Sequence, residues 1–378
     1  MTAPDVVVVG GGVIGLGIAW RAAASGLDVV VVDDAPGRGA SWAAAGMLAP
    51  VSEAHAGEEG LLALGLASNE RYPSFIAELE EVSGRDAGFR TCGTLVAARD
   101  RDHNAVLDEL FSLHREHGMG AERLRARDCR RLEPGLSPRV SGGILVERDD
   151  QVDNRALVRA LLEACERSGV ELRRAKVAAL RTSRDRVTGV ALDDGSAIAT
   201  ERVVLCAGCW SGTIDGIPSE ARPPVRPVKG QLLHLRGPEE PALVGRSIRG
   251  GDVYIVPRAD GRIVVGATVE EQSFDTRVTA GAVLELLRQA YEVVPGIAEL
   301  ELTEIAVGLR PGSPDNAPLL GPAVLRGLTI ATGHHRSGIL LAPITADAIA
   351  ELLLTGGVPD IIAPFSPARF AGRERMAG

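Results

Sequence analysis

The chain has 378 residues, of which 45 are glycine, well above the ~7% usual in proteins, while aromatic residues make up 3% and apolar residues 45%. No G-X-Y period accompanies the glycine, and Val, Leu and Ile runs recur throughout, so collagen and disorder are excluded and a globular protein of one large or two ordinary domains is expected. Lys plus Arg number 41 against 50 Asp plus Glu, a net charge of −9 that argues against a nucleic-acid coat or a polybasic membrane anchor.

Residues 5–9, Asp-Val-Val-Val-Val, read as a strand buried on both faces. Gly10-Gly11-Gly12-Val13-Ile14-Gly15 follows and satisfies G-x-G-x-x-G, and Ile14, Ile18, Ala19, Ala22 and Ala23 mark one face of a helix ending at Ser25-Gly26. A second strand, 29–32, runs into Asp33 and Asp34. In this spacing Gly10 permits a tight turn, Gly12 lets a pyrophosphate approach the backbone, and Gly15 packs helix on strand. The helix N-terminus offers amides to phosphates, and Asp33 is placed for a ribose diol rather than a 2′-phosphate. The small-residue run from Gly39 to Leu48, which includes Ser41, Ala45, Gly46 and Met47, suggests backbone lying against a flat ligand, with an Ala-rich helical turn as the alternative.

Residues 88–140 mix a charged helix (102–116) with short strands, and His114 and His117 are expected on a solvated face; no metal site is expected. Asn154 is expected to cap an amphipathic helix closed by Gly169. Val177 and Leu180 continue a β pattern, Asp193-Asp194-Gly195 reads as a hairpin turn, and 203–206 is another buried strand that leads to Gly208. Cys206 and Cys209 form a CxxC, but with no second pair they read as structural. The five cysteines, odd in number, suit reduced thiols in the cytosol; no signal peptide and no membrane span is expected.

A Pro-rich crossing at 222–236 enters a sheet. Residues 252–257, the turn Asp260-Gly261 and 262–269 form a hairpin that places Asp252, Tyr254 and Val256 on one face. A helix is expected from Thr279 to Val294. Near the end, 328–331 reads as a strand leading through Gly333-His334-His335-Arg336-Ser337-Gly338-Ile339 into a helix that reaches Leu354, with Pro343 kinking it or beginning its regular part. A second glycine-bounded strand-to-helix turn so far from the first implies a ligand long enough to touch both, which favours FAD over NAD. Amides there would stabilise negative charge at the flavin N1–C2 carbonyl. The tail from 371 to 378 is expected to fray.

Val9-Gly-Gly-Gly-Val-Ile-Gly15, Ser41-Trp-Ala-Ala-Ala-Gly-Met-Leu48, Pro227-Val-Lys-Gly-Gln231, Val253-Tyr-Ile-Val-Pro-Arg258, Gly308-Leu-Arg-Pro-Gly312 and Gly333-His-His-Arg-Ser-Gly-Ile-Leu-Leu-Ala-Pro343 lie in the order found in one family. The chain resembles the FAD-dependent D-amino-acid oxidase superfamily, most closely the glycine oxidases associated with thiamine biosynthesis. The resemblance implies a fold of α/β class, α+β overall: a Rossmann-type FAD-binding domain (1–87, 141–222 and 303–370) with a discontinuous antiparallel-sheet substrate domain (88–140 and 223–302). It implies that Arg310 holds the substrate carboxylate and that Tyr254 and Arg336 complete the active site, with Met47 on the substrate side. Val13, Ile14, Asp33, Asp34, Ala45 to Met47, Val177 and His334 to Ile339 match flavin-contacting positions, to which the residue-level reading adds Gly10, Gly12, Gly15, Ser41, Gly208 and Gly333. Asp252 stands where the family often has His, and Val269 where it has a longer side chain, so substrate range is open among glycine, sarcosine and small D-amino acids. No cysteine follows Cys209, so noncovalent FAD is expected. The implied reaction is oxidation of a small amino acid by hydride transfer to flavin N5, with molecular oxygen as acceptor and a homo-oligomer as a further implication. A dehydrogenase serving a quinone or carrier and a non-catalytic flavin sensor are the alternatives.

Overall fold

The computed structural model describes residues 3–116 and 118–370, so the expectations for His117 and for the tail at 371–378 lie outside the described residues. Its first sheet has six strands in the order Leu319–Pro322, Leu328–Thr332, Val203–Leu205, Val6–Val9, Val29–Val32, Glu171–Arg173, all parallel except the first. Period two explains why the opening valines are all apolar. Val6 and Val8 face a helical layer containing Leu16, Trp20, Leu161 and Ala346, whereas Val7 and Val9 face a small sheet through Leu180, Val187 and Val190. The helix Val13–Ala24 crosses from the first strand to the second, as the glycine spacing requires.

The second large sheet has eight strands: Glu301–Gly312, Arg226–Arg236, Arg262–Gly266, Val253–Pro257, Ser247–Gly250, Thr94–Ala98, Gly142–Val146, Ala121–Arg125. Only the pair Ser247–Gly250 with Thr94–Ala98 is parallel. Its membership crosses the boundaries expected at 140 and 302. Gly142–Val146 pairs with both 94–98 and 121–125, and Glu301–Gly312 runs the full length of Arg226–Arg236. One face of this sheet packs Leu233, Ile255 and Val265 against the helix Ala280–Val293, which Thr279 caps by accepting from the Ala282 amide. The other face carries Leu232, Val256, Val264 and Ala306, which close on Ala43 and Ala45 from the first unit. The cleft described below lies along that seam.

Two local expectations are corrected. Asp153, not Asn154, caps the helix Asn154–Arg167: its carboxylate accepts from the amides of Arg155 and Ala156. His114 is buried rather than solvated, and its Nε2–H donates to the Val51 carbonyl at 2.8 Å. Burial lowers its pKa from the ordinary imidazole value. Pro343 sits in the first turn of the helix Ala342–Thr355, where its missing N–H costs nothing. Among the described residues no helix is long and apolar enough to cross a membrane, and all five cysteines are free.

Candidate active site

A continuous cleft of about 620 Å³ runs from Asp33 and Asp34, past Gly10–Ile14 and Ala43–Met47, to Tyr254, Arg310 and His335. At the first turn Gly10 has φ +108°, and a Cβ on it would lie 2.4 Å from the Cys206 carbonyl oxygen. Only glycine fits there. Gly15 is a packing residue: its Cβ would meet Gly10 O at 1.9 Å, and it does not line the cleft. Ser41 Oγ accepts from the Val13 amide at 3.0 Å. Asp33 takes the Gly11 amide on Oδ2 at 2.7 Å and the Ala35 amide on Oδ1 at 2.8 Å. The amides of Gly12 and Ile14, on the cleft wall, have no acceptor among the described residues. They are the donors left for an anion at the start of this helix.

The Ala-rich run is a short helix, Ala40–Ala43, followed by a non-helical stretch that leads into Met47–Leu48. Asn154 ties it down from behind, donating through Nδ2 to the carbonyls of Ser41 (2.8 Å) and Trp42 (3.0 Å). Gly46 has φ +73°, and a Cβ on it would meet Val152 O at 2.0 Å. Ser41, Ala45, Gly46 and Met47 all line the cleft, as do Val177 and Gly208. Asp34 is exposed and faces Lys176 Nζ at 3.4 Å. Cys206 and Cys209 line the wall as buried thiols whose pKa values burial pushes up, that of Cys209 to about 12. They are packing residues rather than nucleophiles.

At the far end the antiparallel sheet supplies Tyr254 from Val253–Pro257 and Arg310 from Glu301–Gly312. Each occupies a slot made by a glycine on a neighbouring strand. A Cβ on Gly230 would strike the Arg310 guanidinium at 2.4–2.6 Å, and one on Gly266 would strike the Tyr254 ring and hydroxyl at 2.5–2.7 Å. Arg310 Nη1 donates to Thr268 O at 3.0 Å and Lys229 O at 3.4 Å, and no carboxylate among the described residues pairs with it. Burial pushes the Tyr254 phenol up to about 12, with Arg310 pulling against it, so the hydroxyl keeps its proton at neutral pH.

The second glycine-bounded turn brings His334, His335, Arg336, Gly338 and Ile339 to the cleft, but neither Gly333 nor Ser337. Gly333 (φ +75°) makes the turn itself, and the Ser337 amide bonds back to His334 O. His334 bonds through Nε2 to Thr345 Oγ1 at 3.2 Å. His335 is held neutral, its pKa lowered to about 4 by burial and then by Arg310, Arg336 and Arg226. Its Nδ1 is buried without a partner among the described residues. Arg336 is already engaged: Nη2 donates to Glu58 at 2.7 Å, and Glu58 also accepts from Asn316 Nδ2 at 3.2 Å. Asp252 and Val269, the two departures from the family pattern, are both exposed and absent from the cleft wall.

Several wall residues escaped the sequence reading. Glu53, paired with Arg249 at 3.1 Å, sits on the wall near Tyr254 with no motif around it. Gly230 lies in the Pro227–Gln231 motif, but nothing local signals that it shelters an arginine 80 residues on. A dinucleotide-sized ligand fits these residues. One cleft joins both glycine-bounded turns, free amides stand at its phosphate end, and an orphaned imidazole nitrogen stands near its reactive end.

The family model for FAD dependent oxidoreductases (DAO) matches residues 5–352. The bifunctional protein ThiO/ThiG of Synechocystis sp. is 37% identical over 375 residues, which are 98% of this chain and 54% of that protein. The chain thus spans about half the length of the curated ThiO/ThiG relatives it matches. The glycine oxidase of Geobacillus kaustophilus is 34% identical over 98% of both chains. The crystal structure of glycine oxidase from Geobacillus kaustophilus superposes with a TM-score of 0.91, at 33% identity, over 97% of this chain and 99% of that one.

Proposed function

Because this chain belongs to the FAD dependent oxidoreductase family, we propose that it oxidises glycine: glycine, oxygen and water become glyoxylate, ammonia and hydrogen peroxide. The observation that carries the reading is the Arg310–Tyr254 pair in its two glycine slots, a guanidinium without a carboxylate partner among the described residues, lining a cleft that otherwise suits a dinucleotide. FAD, held along Asp33, the Gly12 and Ile14 amides and Ala45–Met47, would supply the hydride acceptor and the reactivity toward oxygen.

The protein's own part is positioning. Arg310 offers a planar fork to the substrate carboxylate, and Thr268 O holds one of its nitrogens in place. Tyr254, neutral at working pH, presents an O–H donor beside the same guanidinium. His335 is neutral as well, and Glu53 and Glu58 on this side are paired with Arg249 and Arg336, which leaves Arg310 as the guanidinium that meets the substrate carboxylate. Fixing the substrate in one orientation is the larger share of what hydride transfer needs. We place the imine or glyoxylate product in thiamine thiazole synthesis; rescue of a thiazole auxotroph by this chain tests that placement.

The decisive experiment is anaerobic. Glycine should bleach the bound flavin, and air should restore its colour with release of one peroxide per cycle. Bleaching without peroxide would instead indicate a dehydrogenase serving another acceptor, and no bleaching by any small amino acid would indicate a binding protein.

A further inference from the structure

Arg258 closes the strand Val253–Pro257, and its side chain is only 7% exposed. Its guanidinium reaches three neutral acceptors: Nη1 donates to Gln151 Oε1 at 2.6 Å, and Nη2 to Ala45 O at 2.6 Å and Asn154 Oδ1 at 3.4 Å. No carboxylate forms an ion pair with it among the described residues. The acid that influences it most, Asp153, is bonded to Arg262 at 2.6 Å. A buried cation among neutral dipoles is costly. Burial accordingly lowers its pKa to about 10, still high enough to keep the charge at neutral pH.

What that charge does follows from peptide geometry. In a planar trans peptide the C=O and the next N–H point in opposite directions. The Ala45 carbonyl is drawn back onto Arg258, so the N–H of Gly46 points the other way, and Ala45 and Gly46 are both on the cleft wall. The Gly46 carbonyl is held separately by the Val152 amide at 2.8 Å, and the Gly46 N–H has no acceptor among the described residues. The Ala45–Gly46 peptide is thus held at its carbonyl by Arg258, and the following peptide at the Gly46 carbonyl by Val152, which leaves the Gly46 N–H aimed into the cleft with a positive charge polarising it from the rear. Polarisation by a charged donor strengthens the donor at the other end of the same peptide.

We propose that Arg258 is a positioning residue that aims the Gly46 amide at the FAD isoalloxazine and, through that amide and its own charge, makes the bound flavin a better electron and nucleophile acceptor. This rests on FAD occupying the cleft and not on glycine being the substrate. The test therefore uses no amino acid: on FAD-loaded protein, the flavin reduction potential and the dissociation constant for sulfite, which adds to flavin N5, are measured for wild type, Arg258→Met and Arg258→Lys. Removing a charge-assisted bond of this kind is expected to weaken sulfite binding about tenfold or more in Arg258→Met and to lower the potential. Arg258→Lys, which keeps the charge but cannot hold Ala45 O and Gln151 Oε1 together, should fall between the two.

A potential and sulfite constant unchanged in Arg258→Met, with FAD retention or melting temperature alone reduced, would reduce Arg258 to a structural role and overturn the proposal. Should Arg258→Met fail to fold, Arg258→Lys decides alone, and wild-type values in that variant overturn it equally. Glycine turnover can fail while this result stands, and the reverse, so the two readings are separable.

Discussion

Gly230→Ala tests the site by displacing the Arg310 guanidinium without replacing Arg310 itself. The new Cβ would lie 2.4 Å from Arg310 Nη1 and 2.6 Å from Cζ and Nη2. Relief to ordinary contact at about 3.5 Å moves the guanidinium by roughly 1 Å. Because the atoms displaced are the end of a long side chain, the fold should absorb the change, with the melting temperature moving by no more than about 3 °C. A carboxylate held by a fork does not tolerate the same shift: a misplacement of ~1 Å costs on the order of 100-fold in rate. Oxygen uptake against glycine concentration should therefore show kcat/KM down by about two orders of magnitude, mainly through KM, equivalent to roughly 2.7 kcal/mol. Differential scanning fluorimetry on the same preparation confirms that the fold is retained. If the variant is well folded, FAD-saturated and within about threefold of wild type, Arg310 is not where the carboxylate binds.

Arg310→Ala should remove the pair outright and cost about 3–5 kcal/mol in kcat/KM; wild-type turnover at low glycine would contradict the assignment. Gly46→Ala combines φ +73° with a Cβ 2.0 Å from Val152 O, a backbone atom that cannot step aside. The variant should purify largely without flavin, as its absorbance ratio at 450 and 280 nm would show, and a fully yellow protein would refute the close approach. Burial, and after it Arg155, lowers the pKa of His234 from the ordinary 6.5 to about 4, so the unfolded chain binds the extra proton between those values. Its contribution to stability is complete above pH 6.5 and is lost as pH falls toward 4, amounting to at most about 3 kcal/mol. Urea melts of wild type and His234→Gln should diverge in that window, wild type losing more, and parallel profiles would count against a buried neutral imidazole.

How legible these features were depended on whether their cause is local. The strand, glycine turn, helix and second strand of residues 5–33 could be read directly because each step is set by neighbours within a few positions, and the chain folds there as the spacing implies. The FAD family and the glycine-oxidase resemblance were legible for a similar reason, since short motifs carry them in order. Misreadings came where two positions compete for one role. Asp153 and Asn154 are both good caps, and the choice was made by Ser41 and Trp42, whose carbonyls claim the Asn154 amide from more than 110 residues away. His114 sits on a charged helix, but its own face meets Val51. Gly230, Gly266 and Arg258 do their work across strands, and no periodicity records that a glycine leaves room for someone else's side chain.

The order of strands in the first sheet has a consequence for biosynthesis. Val6–Val9 finds its neighbour Val29–Val32 almost as soon as both are made, but its other edge is filled only by Val203–Leu205, and that strand's outer edge waits for Leu328–Thr332. At ~5–20 residues per second, the first edge stands open for roughly 10–40 s on the ribosome. A hydrophobic parallel edge left unpaired for that long is a natural target for chaperones and a natural point of failure. Both later strands end at the cleft wall, so the nascent chain completes its sheet and its cofactor seat together. Flavin supply during synthesis should thus influence how much of the protein is recovered folded.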